Sequence, residues 1–273
     1  MRQITVTPNV LKGCDNMNDH LYVDEIFGPT IQGEGDFVGK PCYFIRLNGC
    51  DQNPPCKWCD TMKSYSRRNE SLISIEDIIK HIDSLSDELD LFVNRFVITG
   101  GNPCAQDCST LIDTLKKCYS SEPYYTDCEV NIETQGTQFP KWLDDVDYVV
   151  VSPKPPSSSK DNIGQDITNL INYCKRASSR DHLMEIKVVI FNEDDMQYAI
   201  DVFVTTFNAI HGNTGFSNIH YTLQLGTSMN AIDSVYSVDD IFAAIKKSSC
   251  RIPRMLVKDM RVLPQVHNIL KVR

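Results

Sequence analysis

Cys50, Cys56 and Cys59 form a C-x5-C-x2-C pattern inside GCDQNPPCKWCDT. The two-residue gap lets a tight turn bring two thiolates to one metal, while Asn53, Pro54 and Pro55 shape the wider gap. A closed zinc site wants four ligands, and this motif offers three. Cys42 is a poor fourth, because an expected strand separates it by about 25 Å when extended. Three cysteines suit a 4Fe-4S cluster with one iron left open to a substrate or cofactor. A zinc knuckle or unligated thiols are the plain alternatives, and a thioredoxin-type pair at Cys56 and Cys59 leaves Cys50 unexplained.

The chain has 273 residues, eleven of them cysteine. The odd cysteine count and the lack of an apolar secretory run near the start point to a cytoplasmic protein most of whose thiols are small buried hydrophobes. No stretch approaches the run of about 18 apolar residues that spans a membrane. A net charge of -9 argues against nucleic acid or anionic lipid as partner. A chain of this size buries about 70% of its surface on folding, so it needs no covalent staples.

Elements able to position the thiols follow from the periodicity. Short β-branched or aromatic runs at Tyr43 to Leu47, Arg95 to Thr99, Cys128 to Ile132, Tyr148 to Val151, Glu185 to Phe191 and Ile219 to Leu225 predict six strands. Helical spacing predicts helices between them: one capped by Ser74 with Ile75, Ile78, Ile79 and Ile82 on one face, then Ser109 to Cys118, Asn162 to Tyr173, Asp194 to Phe207, and Val238 to Lys246 capped by Ser237. Alternating strands and helices predict a parallel sheet, and six such units an open, partial (β/α)6 TIM-like barrel. Residues 1–20 read as an irregular lead-in and 21–273 as one domain. Pro153 to Lys160 (PKPPSSSK) reads as a flexible loop. Ligands of parallel α/β folds lie at the carboxyl ends of strands, and GCDQNPPCKWCDT, GGNP, ETQG, SPKPPSS and QLGTS all follow expected strands.

Taken in order, EIFGPTIQGEGDFVGKPCYFIRLNGCDQNPPCKWCDT, ITGGNP, NIETQGTQFPKWL, VSPKPPSS, IKVVIFNEDD, YTLQLG and RVLPQVHNIL resemble the 7-carboxy-7-deazaguanine synthase family of radical S-adenosylmethionine enzymes. The matching motifs run from Glu25 to Leu270, about nine tenths of the chain. The resemblance implies a lyase of 7-deazapurine, queuosine-type biosynthesis. It would use a 4Fe-4S cluster on Cys50, Cys56 and Cys59, S-adenosylmethionine on the open iron, and Mg2+. A 5'-deoxyadenosyl radical would take hydrogen from C6 of 6-carboxy-5,6,7,8-tetrahydropterin, and ring contraction with loss of ammonia would give 7-carboxy-7-deazaguanine, the cofactor being regenerated. A homodimer and an external electron donor such as a flavodoxin are implied as partners.

Carried over by position, the resemblance places Ile31, Gln32, Gly33 and Glu34 on the pterin, Glu34 at its guanidine-like edge. It places Arg46 on the substrate carboxylate, Thr99 on substrate and Thr61 on Mg2+. Trp58, Cys59, Asp60, Gly101, Ser152, Pro153, Lys154, Gln224, Leu225, Gly226 and Thr227 would bind S-adenosylmethionine, with Glu133 a weaker candidate. Gly101 is expected to bring backbone close to the methionine part of the cofactor.

Three departures stand out. The first cysteine gap is five residues where many relatives have three, Asn102 replaces the Glu of the wider superfamily's GGEP, and the chain ends at Arg273 without an expected WGN-type tail. GEGDFVGK fails as a phosphate loop, because Pro41 and a strand follow Lys40. Asp194 and Asp195 read as surface residues complementing a helix dipole. Cys104 and Cys108 read as plain thiols, and His267 as structural. The rival readings are another radical S-adenosylmethionine enzyme, such as a glycyl-radical activase, and a zinc-stabilised binding module.

Overall fold

The computed structural model describes residues 19–68, 71–89, 93–120, 127–159, 167–179, 183–211, 218–227 and 236–271. Residues 1–18 of the expected lead-in, 162–166 of the third expected helix and residue 160 of the proline-serine run lie outside them.

The chain runs β1 (His20–Ile31), β2 (Pro41–Leu47), β3 (Leu72–Ser74), α1 (Ile75–Leu89), β4 (Arg95–Gly100), α2 (Ser109–Tyr119), β5 (Glu129–Thr134) and β6 (Tyr148–Val151). There follow α3 (Ile167–Ser178), β7 (Leu183–Ile190), α4 (Glu193–His211), β8 (Ile219–Leu225), α5 (Val238–Lys247), α6 (Arg254–Asp259), β9 (Met260–Leu263) and α7 (Val266–Leu270). All nine strands form one open sheet in the order β3-β1-β2-β4-β5-β6-β7-β8-β9. From β2 to β9 every pairing is parallel, whereas β1 runs antiparallel to both β2 and β3. The architecture is a partial (β/α) TIM-like barrel, and the six expected strands are β2 and β4 to β8.

β1, β3 and β9 were not expected, for readable reasons. β1 contains Gly28 and Pro29 and breaks register twice against β2, so no clean two-residue alternation survives in its sequence. β3 and β9 are three and four residues long, too short for periodicity to register. The helices follow local chemistry. Ser74 Oγ accepts from Asp77 N–H at 3.1 Å, and Ser237 forms a full capping box with Asp240. Between β5 and β6 the connection holds only a 3-10 turn at Lys141–Asp145.

Alternation along the parallel strands sorts core from cavity. Tyr43, Ile45 and Leu47 of β2, Phe96 and Ile98 of β4, Val130 and Ile132 of β5, Val149 and Val151 of β6, and Met184, Ile186, Val188 and Ile190 of β7 join one core under the helices. The intervening residues, Arg46, Thr99, Glu133, Val150, Lys187 and Val189, line the interior.

One segment enters from the opposite end. Because β1 is antiparallel, Ile31 lies beside Pro41 at the start of β2, so the residues after β1 begin below the barrel. Their 3-10 turn, Gly35–Phe37, sits under the amino ends of the strands: Phe37 packs edge-on against Tyr148 at 4.7 Å, the Asp36 N–H donates to Glu185 at 3.1 Å, and the Asp36 carboxylate pairs with His220. TIQGEG is therefore the exception to the rule that the motifs sit at carboxyl ends.

Two surface expectations are corrected. Ser158 and Ser159 of the proline-serine run are buried, the Ser158 carbonyl accepts from Lys57 N–H at 2.8 Å, and the Ser157 N–H donates to Asp195 at 2.9 Å. Asp195 is itself fully buried, accepting also from Phe191 N–H at 3.0 Å, because the loop after β6 folds onto the start of α4.

Ile78 is fully buried where α1 meets the sheet. Ile78→Ala is expected to lower stability by about 2–5 kcal/mol, read as a shift of the urea unfolding midpoint without change in slope.

Candidate active site

The interior opens at the carboxyl ends of the strands as a cavity of about 950 Å³. At its rim lies the cysteine loop. Gly49 N–H donates to Ser64 O at 2.8 Å and Cys50 N–H to Tyr65 O at 2.9 Å, which ties the first cysteine to the chain beyond the motif. Cys59 N–H donates to Cys56 O at 3.2 Å, the tight turn expected of the two-residue gap. All three thiols are free, partly exposed and line the one cavity. Burial pushes the Cys56 thiol up, with the Cys50 and Cys59 sulfurs near enough to add to the rise and Lys154 opposing it. Among the described residues no three His, Cys, Asp or Glu side chains close around a single ion.

Neighbouring strands hold this loop in place. A Cβ on Gly101 would meet Gly49 O at 2.3 Å and Cys50 N at 2.8 Å, so the glycine lets the cysteine loop lie directly on the end of β4. Backbone bonds then join the two: Gly101 N–H to Leu47 O at 2.9 Å and Asn102 N–H to Gly49 O at 2.8 Å. Asn102 is fully buried and does not line the cavity. Its amide donates to Asp51 at 2.8 Å and Thr137 at 2.9 Å, and its oxygen accepts from Thr134 Oγ1 at 2.7 Å. Asp51 also accepts from Gln135, Thr137 and Gln138. Burial would raise its carboxyl, and these hydrogen bonds bring it below the usual range. The wider cysteine gap is thus pinned to the loop after β5.

On the far side of the cysteines, Trp58 Nε1 donates to Ser157 Oγ at 3.1 Å, and its ring packs on Phe191 at 5.2 Å with Lys154 above it at 5.6 Å. A Cβ on Gly226 would strike the Phe191 ring at 2.5 Å, which is why glycine stands there.

Deeper in the cavity the wall becomes polar. Arg46 Nε donates to Glu25 at 2.9 Å and Lys63 pairs with the same carboxylate at 3.2 Å, which fixes the guanidinium against the wall. Thr99 Oγ1 donates to Glu133 at 2.7 Å, and Gln32 Nε2 donates to its other oxygen at 3.0 Å. Glu34 pairs with Lys187 and accepts from Gln265 Nε2 at 2.9 Å.

The chain is 30% identical over 257 residues to the 7-carboxy-7-deazaguanine synthase of Bacillus subtilis (strain 168), covering 90% of this chain and 94% of that one. It belongs to the 7-carboxy-7-deazaguanine synthase family. The synthase of Buchnera aphidicola subsp. Schizaphis graminum (strain Sg) is 28% identical over 265 residues, 92% of this chain and 98% of that one. The crystal structure of QueE from Escherichia coli has the same fold, with a TM-score of 0.60 at 22% identity over 91% of this chain and 95% of that one. The chain matches no family model.

Of the positions that resemblance to this synthase family singles out, Ile31, Gln32, Gly33, Glu34, Arg46, Cys50, Cys56, Trp58, Cys59, Asp60, Thr61, Thr99, Gly101, Ser152, Lys154, Leu225 and Thr227 line the one cavity. Three do not. Pro153 lines a separate small crevice with Tyr198 and Val202. Gln224 is fully buried and donates to Leu263 O at 2.9 Å, which ties β8 to β9. Gly226 accommodates Phe191. Glu133 and His267 do line the cavity, as do Phe27, Phe44 and Lys187, which no motif singles out. Lys187 left one signal: a cation in the apolar run EIKVVIF, two residues from Glu185 and so on the same strand face.

Gly101→Ala is expected to cost about 1–3 kcal/mol, since backbone rather than a side-chain tip must yield. The urea midpoint reports the loss, and faster alkylation of Cys50 by iodoacetamide reports release of the loop.

Proposed function

We propose that this cavity is the active site of a radical S-adenosylmethionine lyase that converts 6-carboxy-5,6,7,8-tetrahydropterin to 7-carboxy-7-deazaguanine and ammonia. The observation that carries the reading is that the three cysteines share one cavity with Arg46, Thr99 and Glu34. The donor sets fit the implied groups. Three free thiols facing a common space offer the ligand set of a 4Fe-4S cluster with one open iron. Thr61 offers a hard oxygen of the kind Mg2+ prefers, and Asp60 lies beside it on the cofactor side. When bound, the cluster and S-adenosylmethionine supply one-electron cleavage to a carbon radical that abstracts hydrogen.

The chain's own residues bind, orient and exclude water. Gly101, Ser152, Lys154, Leu225 and Thr227 form the wall beside the cysteines and hold the cofactor. Arg46 takes the substrate carboxylate with its planar fork, and its bond to Glu25 sets the angle of that fork. Glu34 accepts from the guanidine-like edge, while Gln32 and Thr99 are held in line by Glu133. Phe27 and Phe44, stacked at 5.0 Å, give the ring an apolar wall. Residues 21–273 act as one domain, working with a second copy of the chain and a flavodoxin-type donor. Among the described residues no helix is long and apolar enough to cross a membrane.

Anaerobically reconstituted protein, given reductant, S-adenosylmethionine and the carboxypterin, is expected to yield 7-carboxy-7-deazaguanine by mass spectrometry. Colourless protein with one tight zinc would refute the reading. Cys56→Ala should abolish cluster assembly and cofactor cleavage together. Arg46→Ala should raise the KM for the carboxypterin about 10- to 100-fold, the loss of a charge-assisted pair, and an unchanged KM would remove Arg46 from the pocket.

A further inference from the structure

Lys187 lies in the middle of β7 and is 5% exposed, yet it borders the cavity. Its nitrogen sits on Glu34. Gln265 reaches from the segment after β9 to the other Glu34 oxygen at 2.9 Å, so the carboxylate is held from two sides. Glu34 itself is on the loop that enters from below the barrel, and this contact, with Val266 N–H donating to Gly33 O at 3.1 Å, fixes its height in the cavity. Two more carboxylates surround the ammonium. Glu133 faces it from β5, and Glu185 from the same strand, where Tyr148 OH donates to Glu185 at 2.9 Å. Burial pushes the Glu185 carboxyl up, towards its neutral form. His267 faces Glu34 from α7.

We propose that Lys187 is a positioning residue of the substrate subsite: its ammonium holds Glu34 as an anion aimed into the cavity, where it accepts from the paired N–H donors of an aminopyrimidinone ring. This rests on the functional reading above and deepens it. Burial alone would raise the Glu34 carboxyl, but Lys187, Gln265 and His267 bring it down to about 2. Burial would likewise lower the Lys187 ammonium, and the three carboxylates overcome that and raise it. Glu34 is therefore charged at every working pH. Without Lys187, only the Gln265 hydrogen bond and the His267 charge oppose burial, and the carboxyl titrates upward. At low pH it then becomes a neutral group that presents a hydrogen where the ligand also presents one.

The test is anaerobic equilibrium binding of 6-carboxy-5,6,7,8-tetrahydropterin to the reconstituted holoenzyme between about pH 6 and pH 8. Titration of the ligand is common to all proteins, so the quantity read is the ratio of variant to wild-type Kd. For Lys187→Met the ratio is expected to exceed about tenfold at the acid end and to shrink about tenfold or more towards the alkaline end. Lys187→Arg should restore affinity and flatten the profile. In Lys187→Met/Glu34→Gln the profile should be flat, which assigns the titration to Glu34 rather than His267 or Glu133. If Lys187→Met melts too low to assay, the comparison is made with Lys187→Gln, which fills the space without the charge. A ratio near one, a uniform loss at all pH values, or a slope that survives Glu34→Gln overturns the proposal. Wild-type protein that fails to bind the pterin overturns the functional reading itself, and the proposal with it.

Discussion

Lys187 shares the interior of this open barrel with three carboxylates, Glu34, Glu133 and Glu185. Burying any one of them unpaired costs several kcal/mol, so the loop after β1 has little choice of path. It must bring Glu34 to Lys187 and Gln32 to Glu133, and in doing so it fills the space that the seven parallel strands leave between them. The antiparallel setting of β1 delivers the loop from below, and the Asp36 contacts to Glu185 and His220 hold it there. The floor of the cavity is thus a consequence of charge balance.

The rim obeys a different rule. There the cysteine loop is fixed by backbone contacts, which glycines make possible. Gly101 lets Gly49 and Cys50 lie on the end of β4, and Gly226 makes room for Phe191 beneath Trp58. Asn102 spends its amide on Asp51 and Thr137, so the pocket wall at GGNP is built from backbone instead of from that side chain. The longer first cysteine gap gains an anchor in Asp51, which takes hydrogen bonds from four residues of β4 and β5 loops. A sulfur-bearing rim above a charge-balanced floor gives the cavity two chemically different ends.

Some of this was written locally in the chain. Six strands, the capped starts of α1 and α5, and the two-residue cysteine turn depend on contacts within a few residues, so periodicity and spacing reveal them. β1 escaped because bulges and the Gly28–Pro29 pair break its alternation. Ser158 and Asp195 looked like solvent-facing residues, and both are buried because the loop after β6 docks on α4. Gly101 lines the cavity and also makes room for another piece of the chain, which its expected place beside a ligand did not announce.

The sequence by itself determined the strand and helix content, the trio of thiols and, through the order of its motifs, the family. These are properties of residue type and short spacing. Only the tertiary structure decided that Lys187 meets Glu34 across 153 residues of chain, that Asp51 is clamped from β4 and β5, and that TIQGEG rises from the floor. Such pairings are settled by which buried groups must neutralise one another once the sheet has closed around them. No local pattern records that requirement.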